Sequence, residues 1–241
     1  MSKKKKIILA VIPAVIVLAV LIGMLPFLTD YYHADSAALE SLVSDETVTV
    51  SSTGYGSFFD GPSKDTGLIF YPGAKVESTA YAPLCKELAK NGFDVCLVDM
   101  PLRIAFLGIN KADKIMADYD YDNWYIAGHS LGGVSASHYA SDNPDKLDGV
   151  ILLASFSVHK LDDSIKTILI YGSEDKVLAM DKYEPNQVNN SADSSELIIP
   201  GGNHAGFGSY GAQEGDGTAL ISQKEQVDAT VKEIVKKTRE Q

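Results

Sequence analysis

The chain has 241 residues, 45% apolar and 22% charged, which fits one globular domain plus a short extra segment. That composition excludes a disordered, collagenous or polytopic membrane protein. A formal net charge of −11 is the wrong sign for gripping a phosphate backbone, so no nucleic-acid partner is expected. Cys85 and Cys96 are too few for a disulfide scaffold, and with no C-x-x-C pair or histidine cluster beside them no metal site is expected either.

The amino end is a separate object. Lys3, Lys4, Lys5 and Lys6 precede an uncharged apolar run over residues 7–28. At about 1.5 Å per residue that run matches the roughly 30 Å hydrocarbon thickness of a bilayer. Residues 1–29 are therefore expected to form an uncleaved, single-pass transmembrane anchor. The Lys block would stay in the cytoplasm, with residues 30–241 as an extracytoplasmic domain. The alternative is a signal peptide whose cleavage releases the domain, but the first small-residue cluster, Ala34 to Ala38, lies late for a cleavage site. Without its four amino-terminal lysines the domain is more acidic still, which disfavours further attachment to an anionic membrane surface.

From Asp30 to about Asp65 the pattern is weak, with a short helix expected over 36–43 and a strand over 47–50. Strands and helices then alternate. Strands are expected over 66–71, 94–99, 123–127, 147–154, 167–171 and 196–199. Helices are expected over 78–90, 102–118, 131–141, 179–189 and 220–237. Strands this continuous in Ile, Val and Leu are buried on both faces, so the predicted class is α/β, a mostly parallel, doubly wound sheet covered by helices. Residues 201–217 hold seven glycines and are expected to be a loop whose backbone turns or approaches something closely.

The strand ending Trp124-Tyr125-Ile126-Ala127 runs into Gly128-His129-Ser130-Leu131-Gly132-Gly133 and then a helix. This is G-x-S-x-G in a strand–turn–helix context, with glycines where a tight turn leaves no room for side chains. A serine hydroxyl becomes nucleophilic only when a base takes its proton, and the base needs a carboxylate to hold its tautomer. In a sheet of this kind the two partners follow at the ends of later strands. Gly172-Ser173-Glu174-Asp175 follows one such strand and Pro200-Gly201-Gly202-Asn203-His204 the next, so Ser130, Asp175 and His204 are expected at one sheet edge. An oxyanion formed at Ser130 needs preorganised N–H donors. The Leu131 amide at the helix start is one candidate, and the Ala74 amide in Pro72-Gly73-Ala74-Lys75 is the other.

These segments, with Tyr81-Ala82-Pro83-Leu84, Val98-Asp99-Met100-Pro101 and Asn203-His204-Ala205-Gly206-Phe207-Gly208-Ser209-Tyr210-Gly211, resemble the α/β-hydrolase superfamily over about residues 68–235. Its small, membrane-anchored bacterial serine hydrolases are the most similar. The resemblance implies an α/β-hydrolase fold and a Ser-Asp-His triad, but no substrate. The family's usual His-Gly oxyanion loop is Pro72-Gly73 here.

Weaker candidates surround this set. Lys75, His129, His159 and Phe207 are possible substrate contacts. His129 is more readily a packing residue inside the elbow, and Lys75 a solvated loop cation. Glu174 could replace Asp175 as the orienting acid, and Glu214 and Asp216 read as solvated loop acids. Only 155–166 separates two strands where many such folds insert a helical lid, so an open site is expected. That fits short-chain or surface-displayed esters better than long-chain lipids. The expected activity is carboxylic ester hydrolysis through an acyl-enzyme, without metal or organic cofactor, on a small-molecule or cell-envelope ester. An acyltransferase or peptidase would use the same residues, and a catalytically silent binding module is the remaining alternative.

Overall fold

In the structure, a computed structural model, residues 29–240 are described, together with 12, 13, 15, 16, 18, 19, 22 and 23, which are helical. No helix among the described residues is long and apolar enough to cross a membrane. Most of the anchor expected over 7–28 lies outside them. The chain divides between Tyr31 and Tyr32, and the larger unit, Tyr32–Gln241, carries everything that follows.

Its framework is an eight-stranded sheet in the order β1-β2-β4-β3-β5-β6-β7-β8. The strands are β1 (Thr49–Ser52), β2 (Gly56–Asp60), β3 (Thr66–Tyr71), β4 (Asp94–Val98), β5 (Asn123–His129), β6 (Gly149–Leu153), β7 (Lys166–Gly172) and β8 (Ser194–Ile199). Neighbours from β4 to β8 pair in parallel, whereas β1 pairs with β2, and β2 with β4, antiparallel. The helices are α1 (Ser36–Ser41), α2 (Ala82–Lys90), α3 (Lys111–Asp118), α4 (Leu131–Asp142), α5 (Met180–Asn186) and α6 (Gln223–Arg239).

Period-two alternation in β3 splits the core into two layers. Leu68 and Phe70 join Leu84 and Leu88 of α2 and Val231 and Ile234 of α6 on one face. Ile69 and Tyr71 join Ile115 of α3 and Ala136 and Tyr139 of α4 on the other. Burial on both faces is why the central strands read as unbroken apolar runs. The carboxyl ends of β3, β5, β7 and β8 then lead into the four loops on which the candidate site stands.

The largest differences from the sequence expectation have clear physical causes. β2 was not expected, since Gly56 and Ser57 dilute its pattern. A Cβ on Gly56 (φ +143°) would lie 2.2 Å from the Leu97 carbonyl oxygen, so glycine is what lets this strand approach β4. The helix expected over 102–118 is broken into two 3₁₀ turns, Pro101–Arg103 and Ala105–Gly108, and the shorter α3. Leu102 and Arg103 adopt φ of +53° and +58°, and the Arg103 carbonyl accepts the Lys75 amide at 3.2 Å instead of continuing a helix. Finally, α6 starts at Gln223, not 220, because Ser222 and Glu225 form a reciprocal capping box.

Leu152, wholly buried near the carboxyl end of β6, tests the core that carries the site loops. Leu152→Ala is expected to lower unfolding free energy by about 2–5 kcal/mol in urea titrations, the range for truncating a buried leucine.

Candidate active site

Ser130 caps α4 at φ +53°, ψ −124°, a conformation that costs a non-glycine residue about 1–3 kcal/mol. The surroundings enforce it. A Cβ on Gly128 would lie 2.4 Å from Gly132, and one on Gly132 would lie 2.3 Å from the Tyr71 carbonyl oxygen. The Ser130 amide donates to the Leu153 carbonyl at 2.9 Å, while its own carbonyl accepts the Ser155 hydroxyl at 2.9 Å. Ala154, at φ +46°, turns the chain after β6 so that Ser155 meets the elbow. Sequence reasoning did not single out Ser155 because its role depends on that turn.

Asp175 and His204 meet as expected. His204 Nδ1 lies 2.8 Å from Asp175 Oδ2, with both side chains buried. The other carboxylate oxygen, Oδ1, accepts the Val177 and Leu178 amides at 2.8 Å each, which fixes the carboxylate plane. Carboxylate contact at Nδ1 assigns the ring proton there and leaves Nε2 as the acceptor. Nε2 is buried without a protein partner. Glu174 takes the neighbouring Ser173 hydroxyl instead, so it does not orient the imidazole. The two loops pack backbone to backbone, since a Cβ on Gly172 would lie 2.2 Å from Gly202 and the Glu174 amide donates to the Gly202 carbonyl at 2.8 Å.

Ser130 and His204 line one open cleft of about 200 Å³. Its other walls are largely apolar, with Val134, Phe156, Val177 and Leu178 among them, and Lys182 of α5 stands at it as well. These residues come from the start of α4 and the loops after β6 and β7. Topology alone predicts which loops line the cleft, but their side chains carry no motif. No helical lid separates β6 from β7 among the described residues. Leu131 also lines the cleft at the amino end of α4, where the helix dipole favours negative charge. Ala74 lies in the loop after β3, which the Gly132 contact holds against the elbow.

The weaker candidates separate clearly. His129 and Phe207 are buried and are not among the residues that line the cleft. His159 is exposed, with its ring 4.8 Å from that of His138 and away from the cleft lining. The Lys75 backbone ties its loop to Arg103 and, through its carbonyl, to the Tyr32 amide at 2.7 Å. Lys75 does not line the cleft either.

His129 instead belongs to a buried chain beneath the site. The Gly73 amide donates to the Tyr81 hydroxyl at 3.1 Å, and that hydroxyl lies 2.7 Å from His129 Nδ1. The Tyr81 proton is thus free to point at His129, whose ring packs 4.5 Å from that of His204. Burial, reinforced by His204, holds the His129 pKa well below its ordinary value, while burial pushes the Tyr81 hydroxyl up. Both are neutral spacers. They connect the loop after β3 to the ring of His204.

Residues 67–228 match the alpha/beta hydrolase family. The chain belongs to that family. No curated protein matches the sequence. Among solved structures of this fold, a monoacylglycerol lipase of Paleococcus ferrophilus is similar at TM-score 0.59 and 15% identity, over 79% of this chain and 99% of that one. Est1E from Butyrivibrio proteoclasticus is similar at TM-score 0.56 and 13% identity, covering 81% and 100%. A predicted CIB-like hydrolase from Thermoplasma acidophilum is similar at TM-score 0.54 and 17% identity, covering 79% and 99%. At these identities the likeness is one of fold. The antiparallel β1 and β2 sit at one margin of the hydrolase sheet, away from the loops that carry Ser130, Asp175 and His204.

The neutral, buried His129 gives a pH test. Its folded pKa lies below the unfolded value, so below about pH 6.5 the unfolded chain gains a proton that the folded protein refuses. Stability from this group is therefore complete above that pH and falls by about 1 kcal/mol per pH unit below it. His129→Gln keeps an acceptor for Tyr81 but removes the titration. Urea midpoints at pH 7.5 and 5.5 are expected to fall further for the wild type than for the variant.

Proposed function

We propose that this hydrolase is a carboxylic ester hydrolase working through an acyl-enzyme on Ser130. The observation that carries the reading is His204, oriented through Nδ1 by Asp175 at 2.8 Å and left with an unpartnered Nε2 at the cleft that Ser130 lines. In the proposed reaction His204 Nε2 takes the Ser130 proton as Oγ attacks the ester carbonyl. The Leu131 and Ala74 amides hold the oxyanion. His204 then returns the proton to the departing alcohol, and water attacks the acyl-enzyme by the same route in reverse. Asp175, itself held by two amides, stabilises the imidazolium.

The apolar cleft suits a hydrocarbon acyl group, and its small volume argues for a short chain. The neighbours include an enzyme described as a monoacylglycerol lipase, which accords with hydrolysis of an ester bond. The open cleft of about 200 Å³ has no lid over it among the described residues, so the proposed substrates are short-chain esters or esters displayed on a surface. The reading includes an amino-terminal membrane anchor with the domain outside the cytoplasm, supported by the Lys-rich start and the apolar run over 7–28.

A fluorophosphonate is expected to add once, on Ser130, as read by intact mass and peptide mapping, and to leave Ser130→Ala unmodified. A folded wild type that takes no adduct would overturn the proposal. His204→Ala and Asp175→Asn are expected to lower kcat by about 10³–10⁴-fold on a short ester, the scale for breaking such a dyad. With p-nitrophenyl esters of increasing length, kcat/KM is expected to peak at acetate to butyrate. A preference for palmitate would contradict the short-acyl cleft.

A further inference from the structure

The glycine-rich loop after His204 has no part in the chemistry proposed above, yet one of its acids reaches back to it. We infer that Asp216 is a positioning residue that holds the His204 loop and the Asp175 loop in register, an inference that rests on the reading of Ser130 as nucleophile. Asp216 Oδ1 accepts the Gly217 amide at 2.7 Å, the His204 amide at 3.2 Å and the Lys176 amide at 3.3 Å. Oδ2 accepts the Ala205 amide at 2.9 Å. One carboxylate thus collects backbone donors from the residue after the acid, from the histidine itself and from the residue that follows it.

These contacts bracket the His204–Asp175 hydrogen bond on both sides. The Lys176 nitrogen is bonded to the Asp175 carbonyl carbon and the His204 nitrogen to its own Cα, so these two contacts hold the backbone from which the Asp175 and His204 side chains start. The loop that presents Asp216 is itself fixed. The Asn203 side-chain amide donates to the Gly217 carbonyl at 2.8 Å, and a Cβ on Gly217 would lie 1.8 Å from the Glu174 carbonyl oxygen. Glycine at 217 therefore lets the loop lie directly on the acid loop. Gln226 of α6 closes the arrangement from behind, with Oε1 accepting the Asn203 amide at 3.0 Å and Nε2 donating to the Asn203 carbonyl at 2.8 Å. Asp216 is the charged member of this clamp, and four N–H donors need both of its oxygens. An asparagine offers one oxygen and sets its own NH₂ against the remaining donors.

Loss of the clamp frees the His204 and Lys176 backbones to shift. Displacement of a reacting group by about 1 Å can cost about 10²-fold in rate without weakening substrate binding. The test uses full-chain wild type, Asp216→Ala and Asp216→Asn, each confirmed folded by circular dichroism. Two readouts are taken, kcat and KM on p-nitrophenyl acetate, and the low-field proton resonance of the His204 Nδ1–H. For Asp216→Ala, kcat is expected to fall about 10²-fold with KM within about twofold, and the low-field proton to broaden or vanish. Asp216→Asn is expected to fall between the two. A folded Asp216→Ala that keeps kcat within about twofold and keeps the proton resonance would overturn the inference, because a merely structural acid moves thermal stability alone. Should Asp216→Ala fail to fold, Asp216→Asn is read by the same criteria. Should the wild type prove inactive, the nucleophile reading falls instead. The proton resonance in Asp216→Asn then still decides whether Asp216 holds the His204–Asp175 bond.

Discussion

The backbone of Gly132 lies against the carbonyls of Tyr71 and Pro72 with no space for a single methyl group, and the rest of the site depends on that approach. It locks the first turn of α4 onto the loop after β3. The same closeness at Gly128 forces Ser130 into a left-handed conformation that no unconstrained serine would hold. The strain is offset by the parallel sheet beneath, whose two buried layers fix where β3 and β5 end. Sheet geometry thus becomes site geometry through Gly128 and Gly132.

The second determinant is electrostatic. Asp175 receives two amides on one oxygen and His204 on the other, so its charge is satisfied before any reaction begins. Preorganisation of this kind means that the proposed proton transfer needs little rearrangement of the protein. Beneath it, Tyr81 and His129 hold neutral rings in a space where a charge would be costly. They join Gly73, in the loop after β3, to the ring of His204 through two hydrogen bonds and one ring contact.

Much of this was legible in the sequence because the constraints are local. Glycine on either side of Ser130, an aspartate two residues after a strand-ending Gly-Ser, and a histidine after Pro-Gly-Gly-Asn each mark a turn at a strand end. The order of the strands does the rest. What stayed hidden depends on contacts between distant segments. β2 is a strand because it fits against β4, not because Gly56-Ser57-Phe58-Phe59 alternates strongly. The region after Met100 was expected to be a continuous helix, but the Arg103 carbonyl turns to meet Lys75. Asp216 read as a solvated acid, since nothing local reveals the four amides that converge on it. Phe207 and His129 lie close to His204 and Ser130 in sequence, yet both side chains pack in the interior.

In the proposed reaction Ser130 Oγ meets the ester carbon, His204 Nε2 takes its proton and the amides of Leu131 and Ala74 hold the developing oxyanion. A crystal structure of the phosphonylated enzyme tests it most directly, because the adduct mimics the tetrahedral intermediate. One phosphonyl oxygen is expected within about 2.7–3.1 Å of both amide nitrogens, with His204 Nε2 facing Ser130 Oγ. A phosphonyl oxygen turned to solvent, or held by groups other than these two amides, would contradict it.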